Sequence, residues 1–158
     1  MRKHKIYLET TLFNYYLDSE RDAHADTVRL FGEIKAGKHE AYTSEEVIRE
    51  LNNAPSPKKE MMTALVVEYG IISLPFDEEA KKLSESYVEM GIIPEKHKTD
   101  GVHIAIAASN DMDFIISVNY KHIVKVKTET MTNAINVMYG YRKIKIITPM
   151  QIIENEND

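Results

Sequence analysis

TDGVHIAIAA (Thr99–Ala108), followed after five residues by FIISVN (Phe114–Asn119), decides the fold class. From Val102 to Ala108 the side chains are apolar almost all round, so a helix there has no face for solvent and belongs in the interior. Phe114–Val118 reads as a buried strand. Asp100 opens the helix and Asn119 ends the strand. Four more short strands are expected at Lys5–Leu8, His39–Tyr42, Ile71–Leu74 and Lys143–Ile147. Between them lie helical patterns: Leu12–Leu17; Asp22–Lys35, with Ala25, Val28, Phe31 and Ile34 along one face; Lys58–Tyr69; and Asp77–Met90. Thr43 with Glu46 three residues on makes a capping box for a helix bearing Val47, Ile48 and Leu51. Met131, Ile135 and Met138 predict one more helix, and Pro149 a short final turn. Gly91–Thr99, with Pro94 and several charges, reads as a loop. Short strands alternating with helices predict an α/β domain of three layers, with a central parallel sheet and helices on both faces.

With 158 residues the chain is one domain long and can bury roughly 68–70% of its unfolded surface. No linker or repeat interrupts it, so a single domain is expected over residues 1–154, with a short acidic tail at 155–158. The sequence has no cysteine, which excludes a disulfide scaffold, a thiolate zinc site and a cysteine nucleophile. Its six histidines show no paired spacing of the kind found in zinc motifs. The basic start MRKHKIYLETT is interrupted by Glu9 before a signal-peptide core forms, and no apolar run could span a bilayer. A cytoplasmic protein without membrane contact is expected. The net charge of −5 conceals a split: Asn119–Ile146 holds six Lys or Arg against Glu129 alone, hence 6 − 1 = +5, which leaves −5 − 5 = −10 elsewhere. A basic surface beside an acidic pocket is what a metal-dependent nuclease requires, although separate solvated faces would give the same totals.

Right-handed crossovers bring the carboxyl ends of parallel strands, and the helix starts beside them, to one edge, where such folds bind ligands. Glu9 follows the first strand, Glu46 and Glu50 share a face of the helix after the second, and Asp100 and Asn119 flank the helix–strand unit described first. Each has a plain structural alternative. Asp100 can answer the helix dipole, Glu46 can be a cap, Glu50 an exposed side chain, and His103 a satisfied core histidine. Glu9 is harder to dismiss, because an acid directly after a buried strand is costly unless paired. Clustered carboxylates repel one another, and a divalent cation relieves that repulsion.

IYLETTLFNYYLD (Ile6–Asp18), TSEEVIREL (Thr43–Leu51), TDGVHIAIAA, FIISVNYKHI (Phe114–Ile123) and ITPMQII (Ile147–Ile153), taken in order, resemble the PIN-domain proteins, in particular the VapC-like ribonucleases of toxin–antitoxin systems. The resemblance implies a PIN-like α/β/α domain and a magnesium- or manganese-dependent endoribonuclease acting on RNA phosphodiesters. By motif match Glu9, Asp100 and Asn119 would hold the ion, and Glu50 would hold a second ion or orient water. Thr10, Lys121, His122, Lys125 and Lys127 would face the RNA. A cognate antitoxin and a homodimer are implied as well. The sequence departs from the usual pattern at Glu9, one methylene longer than the customary Asp, and at Asn119, which replaces an acid by a neutral carbonyl. Those departures define the alternative, a non-catalytic RNA- or protein-binding module of the same fold with a weakened metal site. A receiver or an aspartyl phosphatase would need paired acids near the first strand, and neither those nor a glycine-rich phosphate loop is present.

Overall fold

The structure, a computed structural model, describes residues 2–154; the tail expected at 155–158 lies outside the described residues. In chain order the elements are β1 (His4–Leu8), α1 (Thr10–Leu17), α2 (His24–Lys35), β2 (His39–Ser44), α3 (Glu45–Asn52), α4 (Lys58–Glu68) and β3 (Ile72–Leu74). They continue with α5 (Glu78–Glu89), a 3-10 turn at Glu95–His97, α6 (Lys98–Ser109), β4 (Phe114–Ile116), α7 (Val126–Met138), β5 (Lys145–Ile147) and α8 (Pro149–Glu154). The five strands are all parallel, in the order β3-β2-β1-β4-β5. The chain grows outward from β1 in one direction as far as β3, then returns to build β4 and β5 on the other side. The order therefore reverses between β1 and β4, where Leu8 stands opposite Ile116. Helix contacts fall mainly into two groups, α1 with α2, α3 and α4 and α2 with α8, and α5 with α6 and α7, joined where α3 meets α6.

Burial explains why these segments hold. Ile6, Tyr7 and Leu8 of β1 and Ile115 and Ile116 of β4 are shielded on both faces, as expected of central strands in a parallel sheet. Helix α6 buries Gly101 and every residue from His103 to Ala108, which bears out the interior helix read from the sequence. Each fully buried Ile or Leu contributes about 1.5–3 kcal/mol over an exposed one. Gly101 lies where α6 meets α5: a Cβ there would come within 3.1 Å of Ile93 and 3.4 Å of Tyr87.

Several local expectations are corrected. The cap of α3 is Ser44, whose Oγ accepts from the Val47 N–H, because β2 runs two residues beyond Tyr42. Thr43 stays in the strand and donates to the Leu8 carbonyl instead. In α2 Phe31 and Ile34 are buried, but Ala25 and Val28 face solvent and Thr27 and Leu30 replace them. Steps of three residues drift off the face of a helix that turns every 3.6. In α7 Ile135 is buried while Met131 and Met138 are exposed, and the core side carries Asn133 and Asn136. Asn133 clasps the backbone of Ile144 with both its amide groups, at 2.7 and 2.8 Å, and Asn136 accepts from the Tyr87 hydroxyl, so these buried polar groups are satisfied. The expected loop Gly91–Thr99 contains the 3-10 turn, and α6 begins at Lys98. Asp100 thus lies in the first turn of α6 rather than opening it. No helix among the described residues is long and apolar enough to cross a membrane.

Candidate active site

Glu9 follows β1 at the point where the strand order reverses, and it is only 4% exposed. Its Oε1 accepts from Ser117 Oγ at 2.6 Å and Thr11 Oγ1 at 2.5 Å, while its own N–H donates to the Ile116 carbonyl. Among the described residues the buried acid is held by two neutral hydroxyls and pairs with no basic side chain. Thr11 also accepts from the Val118 N–H, so it bridges α1 to the end of β4. Neither Ser117 nor Thr11 was assigned a role from the sequence. The available signal was Ser117 itself, a lone hydroxyl inside an apolar strand.

Glu50, in the last turn of α3, is drawn toward the same edge. Its Oε1 accepts from His103 Nε2 at 2.6 Å and from Thr10 Oγ1 at 3.1 Å. His103 is fully interior, and its Nδ1 meets the Tyr7 hydroxyl at 2.7 Å; Tyr7 in turn meets Ser44 Oγ at 2.7 Å. A continuous chain of hydrogen bonds thus runs from the start of α3 through β1 and α6 back to the end of α3. His103 is the satisfied core histidine expected from its position, and Thr10, assigned to the RNA, has its hydroxyl on Glu50. Burial alone would raise the Glu50 carboxyl, but the bond and charge of His103, with Thr10 and Arg49, hold it below its ordinary value. Burial alone would lower His103; its bond to Glu50 and the field of Glu9, Glu50 and Glu46 outweigh that and raise it.

Asp100 differs from both. Burial pushes its carboxyl up and Glu50 adds to the effect, against the lowering influence of His103, His122 and His97. It faces His97, from the 3-10 turn, and His122, from the loop after β4. One ligand atom from each of these three lies within 4.8 Å of the others, the sole such group of three His, Asp or Glu found among the described residues. The two imidazoles stack with centroids 3.8 Å apart and planes 28° from parallel. Glu9, Glu50 and Asp100, expected to converge, do not form such a group among the described residues; Glu50 reaches Thr10, beside Glu9, and His103, one turn after Asp100. A cavity of about 180 Å³ opens over Asp100, and Lys121, His122, Lys125 and Lys127 all contribute to its wall. Asn119 Oδ1 accepts from the His122 N–H at 3.2 Å and its backbone carbonyl accepts from Ile123 and Val124, so Asn119 shapes the loop that presents His122. Glu46, expected as a cap, instead pairs with Arg49 beside a larger cavity between α3, α5 and α6.

The donor chemistry suits a hard divalent cation. Glu9 Oε2, Glu50 Oε2 and both oxygens of Asp100 accept no hydrogen bond among the described residues, which leaves carboxylate lone pairs from three elements around one edge.

No protein-family model and no curated protein matches the sequence. Solved structures do. VapC20 of Mycobacterium tuberculosis, described as a sarcin–ricin loop cleaving toxin, superposes with a TM-score of 0.51 at 16% identity, over 70% of this chain and 86% of that one. VapBC2 from Rickettsia felis, bound to a DNA fragment from its promoter, gives 0.56 at 14% identity over 91% and 98% of the two chains. DNA-bound VapBC from Salmonella typhimurium gives 0.56 at 12% identity over 92% and 98%. At such identities what is shared is the fold, and the chain has the PIN-like α/β/α fold of the VapC proteins.

Proposed function

We propose that this protein is a magnesium- or manganese-dependent endoribonuclease and the toxin of a VapBC-type pair, acting in the cytoplasm. The reading is supported by three carboxylates with an unengaged oxygen each, Glu9 after β1, Glu50 bonded to Thr10 and His103, and Asp100 in the first turn of α6, the last lining a cavity to which Lys121, Lys125 and Lys127 also contribute. These carboxylates would hold the ion, with the free lone pair of Asn119 Oδ1 as a fourth donor. When bound, such an ion lowers the pKa of a coordinated water and screens the scissile phosphate, so that no side-chain nucleophile is needed. The chain's own residues do the positioning. Ser117 and Thr11 fix the Glu9 rotamer, and His103 and Thr10 fix Glu50. Lys121, His122, Lys125 and Lys127 offer phosphate contacts that set the RNA in register without reading its sequence. The fold shared with two VapBC assemblies supports a small antitoxin as partner, and a homodimer completes the proposal.

Cleavage of structured RNA by the purified chain tests the reading. Mn²⁺ should support it, excess chelator should abolish it, and Ca²⁺ should restore it poorly because its longer, looser coordination does not suit an octahedral site. Cleavage that persists in chelator would refute metal-dependent hydrolysis.

Asn119→Asp probes the fourth donor. Aspartate keeps an acceptor for the His122 N–H, so the loop is retained, while the charge joins an anionic rim. In metal-free protein the change should cost about 1 kcal/mol, the scale of one pKa unit. With Mn²⁺ the sign should reverse, with tighter binding and a larger metal-induced rise in melting temperature than in the parent. Equal affinities and equal melts would put Asn119 outside the site.

A further inference from the structure

We infer that His97, Asp100 and His122 form a second metal site, selective for a borderline-soft transition ion such as Zn²⁺ and distinct from the oxygen-donor site proposed above, with which it shares Asp100. The three residues come from the 3-10 turn, the first turn of α6 and the loop after β4, and all are half-buried. Among the described residues no hydrogen bond engages either imidazole ring or the Asp100 carboxylate, so three polar side chains converge on a cavity without satisfying one another. Their spacing suits an ion. Three atoms no more than 4.8 Å apart can all lie within about 2.8 Å of a common centre, and closing by several tenths of an ångström brings them to the 2.0–2.2 Å of zinc–imidazole and zinc–carboxylate bonds. The rings are stacked 28° from parallel, so rotation about each side chain is what turns one nitrogen of each toward a shared ion.

Donor type decides which ion. Two imidazoles and one carboxylate are a poor match for Mg²⁺ or Ca²⁺, which prefer oxygen throughout, and a good match for Zn²⁺ or Co²⁺ with water in the remaining position. Asn119 plays the supporting part, since its side chain accepts the His122 backbone N–H and fixes the loop from which that imidazole projects.

The test is a calorimetric titration of the full metal-free chain with Zn²⁺, with Co²⁺ as the spectroscopic substitute. One Zn²⁺ per chain is expected, with H97Q and H122Q each weakening it at least tenfold and E9Q and E50Q changing it less than twofold. On the unsubstituted protein the Co²⁺ form should show two solvent-exchangeable, paramagnetically shifted imidazole N–H resonances, a measurement that does not depend on how any variant folds. Absence of Zn²⁺ uptake, absence of those resonances, or Glu9 and Glu50 variants that weaken Zn²⁺ as much as the histidine variants would each overturn the proposal. Every readout is binding, so a protein that cleaves no RNA but takes Zn²⁺ through its histidines would refute the nuclease and leave this site standing.

Discussion

Asp100→Asn should lower RNA cleavage at least about a hundredfold, beyond the 10–100-fold usual for residues that only support a metal ligand, while the melting temperature stays within about 3 °C of the parent or rises. The catalytic loss follows from removing the least engaged carboxylate at the rim. The stability half follows from its electrostatics. Burial raises the Asp100 carboxyl above its ordinary value near 3.8, so the folded state holds its proton more tightly than the unfolded chain does. The charged form therefore costs stability, and that cost appears as pH rises through 3.8 toward the raised value and is fully present at neutral pH. Asparagine removes it. Against this stands the lost attraction of an anion for the first turn of α6, about 0.3–1 kcal/mol. Asp100 makes no capping hydrogen bond in α6, so nothing further is lost. Cleavage rates and melts of one preparation check both halves; full activity in the variant would reduce Asp100 to a helix-dipole residue.

His103→Leu should be the most destabilising single change near the site, costing about 2–3 kcal/mol, because it leaves the half-buried Glu50 carboxylate short of its main partner and the buried Tyr7 hydroxyl short of one of its own. In a chain of this size that lowers the melting temperature by about 4–12 °C. Tyr7→Phe, which removes one hydroxyl from the same network, should cost about 1 kcal/mol. The pH dependence carries a sign. His103 is raised above its ordinary 6.5, so its contribution is complete below pH 6.5 and fades as pH climbs through the raised value. Glu50 is lowered beneath its ordinary 4.5, so its contribution is complete above pH 4.5 and fades as pH falls through the lowered value. The gap between parent and variant should be widest from about pH 4.5 to 6.5. Denaturant melts across that range decide it, and a gap that keeps growing above pH 7 would mean the pair is held together by something other than charge.

What the sequence revealed follows from which forces act locally. The buried character of α6 and β4 and the alternation of strands and helices are written in runs of neighbouring residues, and the structure has both; the acid after β1 is buried there with two hydroxyls as its partners. The faces of α2 and α7 were misjudged because only packing fixes the phase of a short amphipathic helix, and because Asn133 and Asn136 are buried for the sake of the Ile144 backbone and the Tyr87 hydroxyl, partners distant in sequence. Ser117 as the partner of Glu9 is likewise a fact of two adjacent strand ends. His97 and His122 lie on either side of α6 and β4 in the chain, and only the return of the chain along β4 sets one ring on the other.

Gly101 gives the edge a mechanical property. Its missing side chain lets α6 settle against Ile93 and Tyr87, and the Tyr87 ring is fixed at its far end by Asn136. The residue next to it on the same backbone is Asp100. The depth to which one helix seats on another therefore acts as a gauge block for a carboxylate one peptide bond away, with a tolerance of a few tenths of an ångström. In the proposed nuclease, whose candidate ions differ in bond length by about that much, the seating of α6 on its neighbours would set the site together with the donors at its surface.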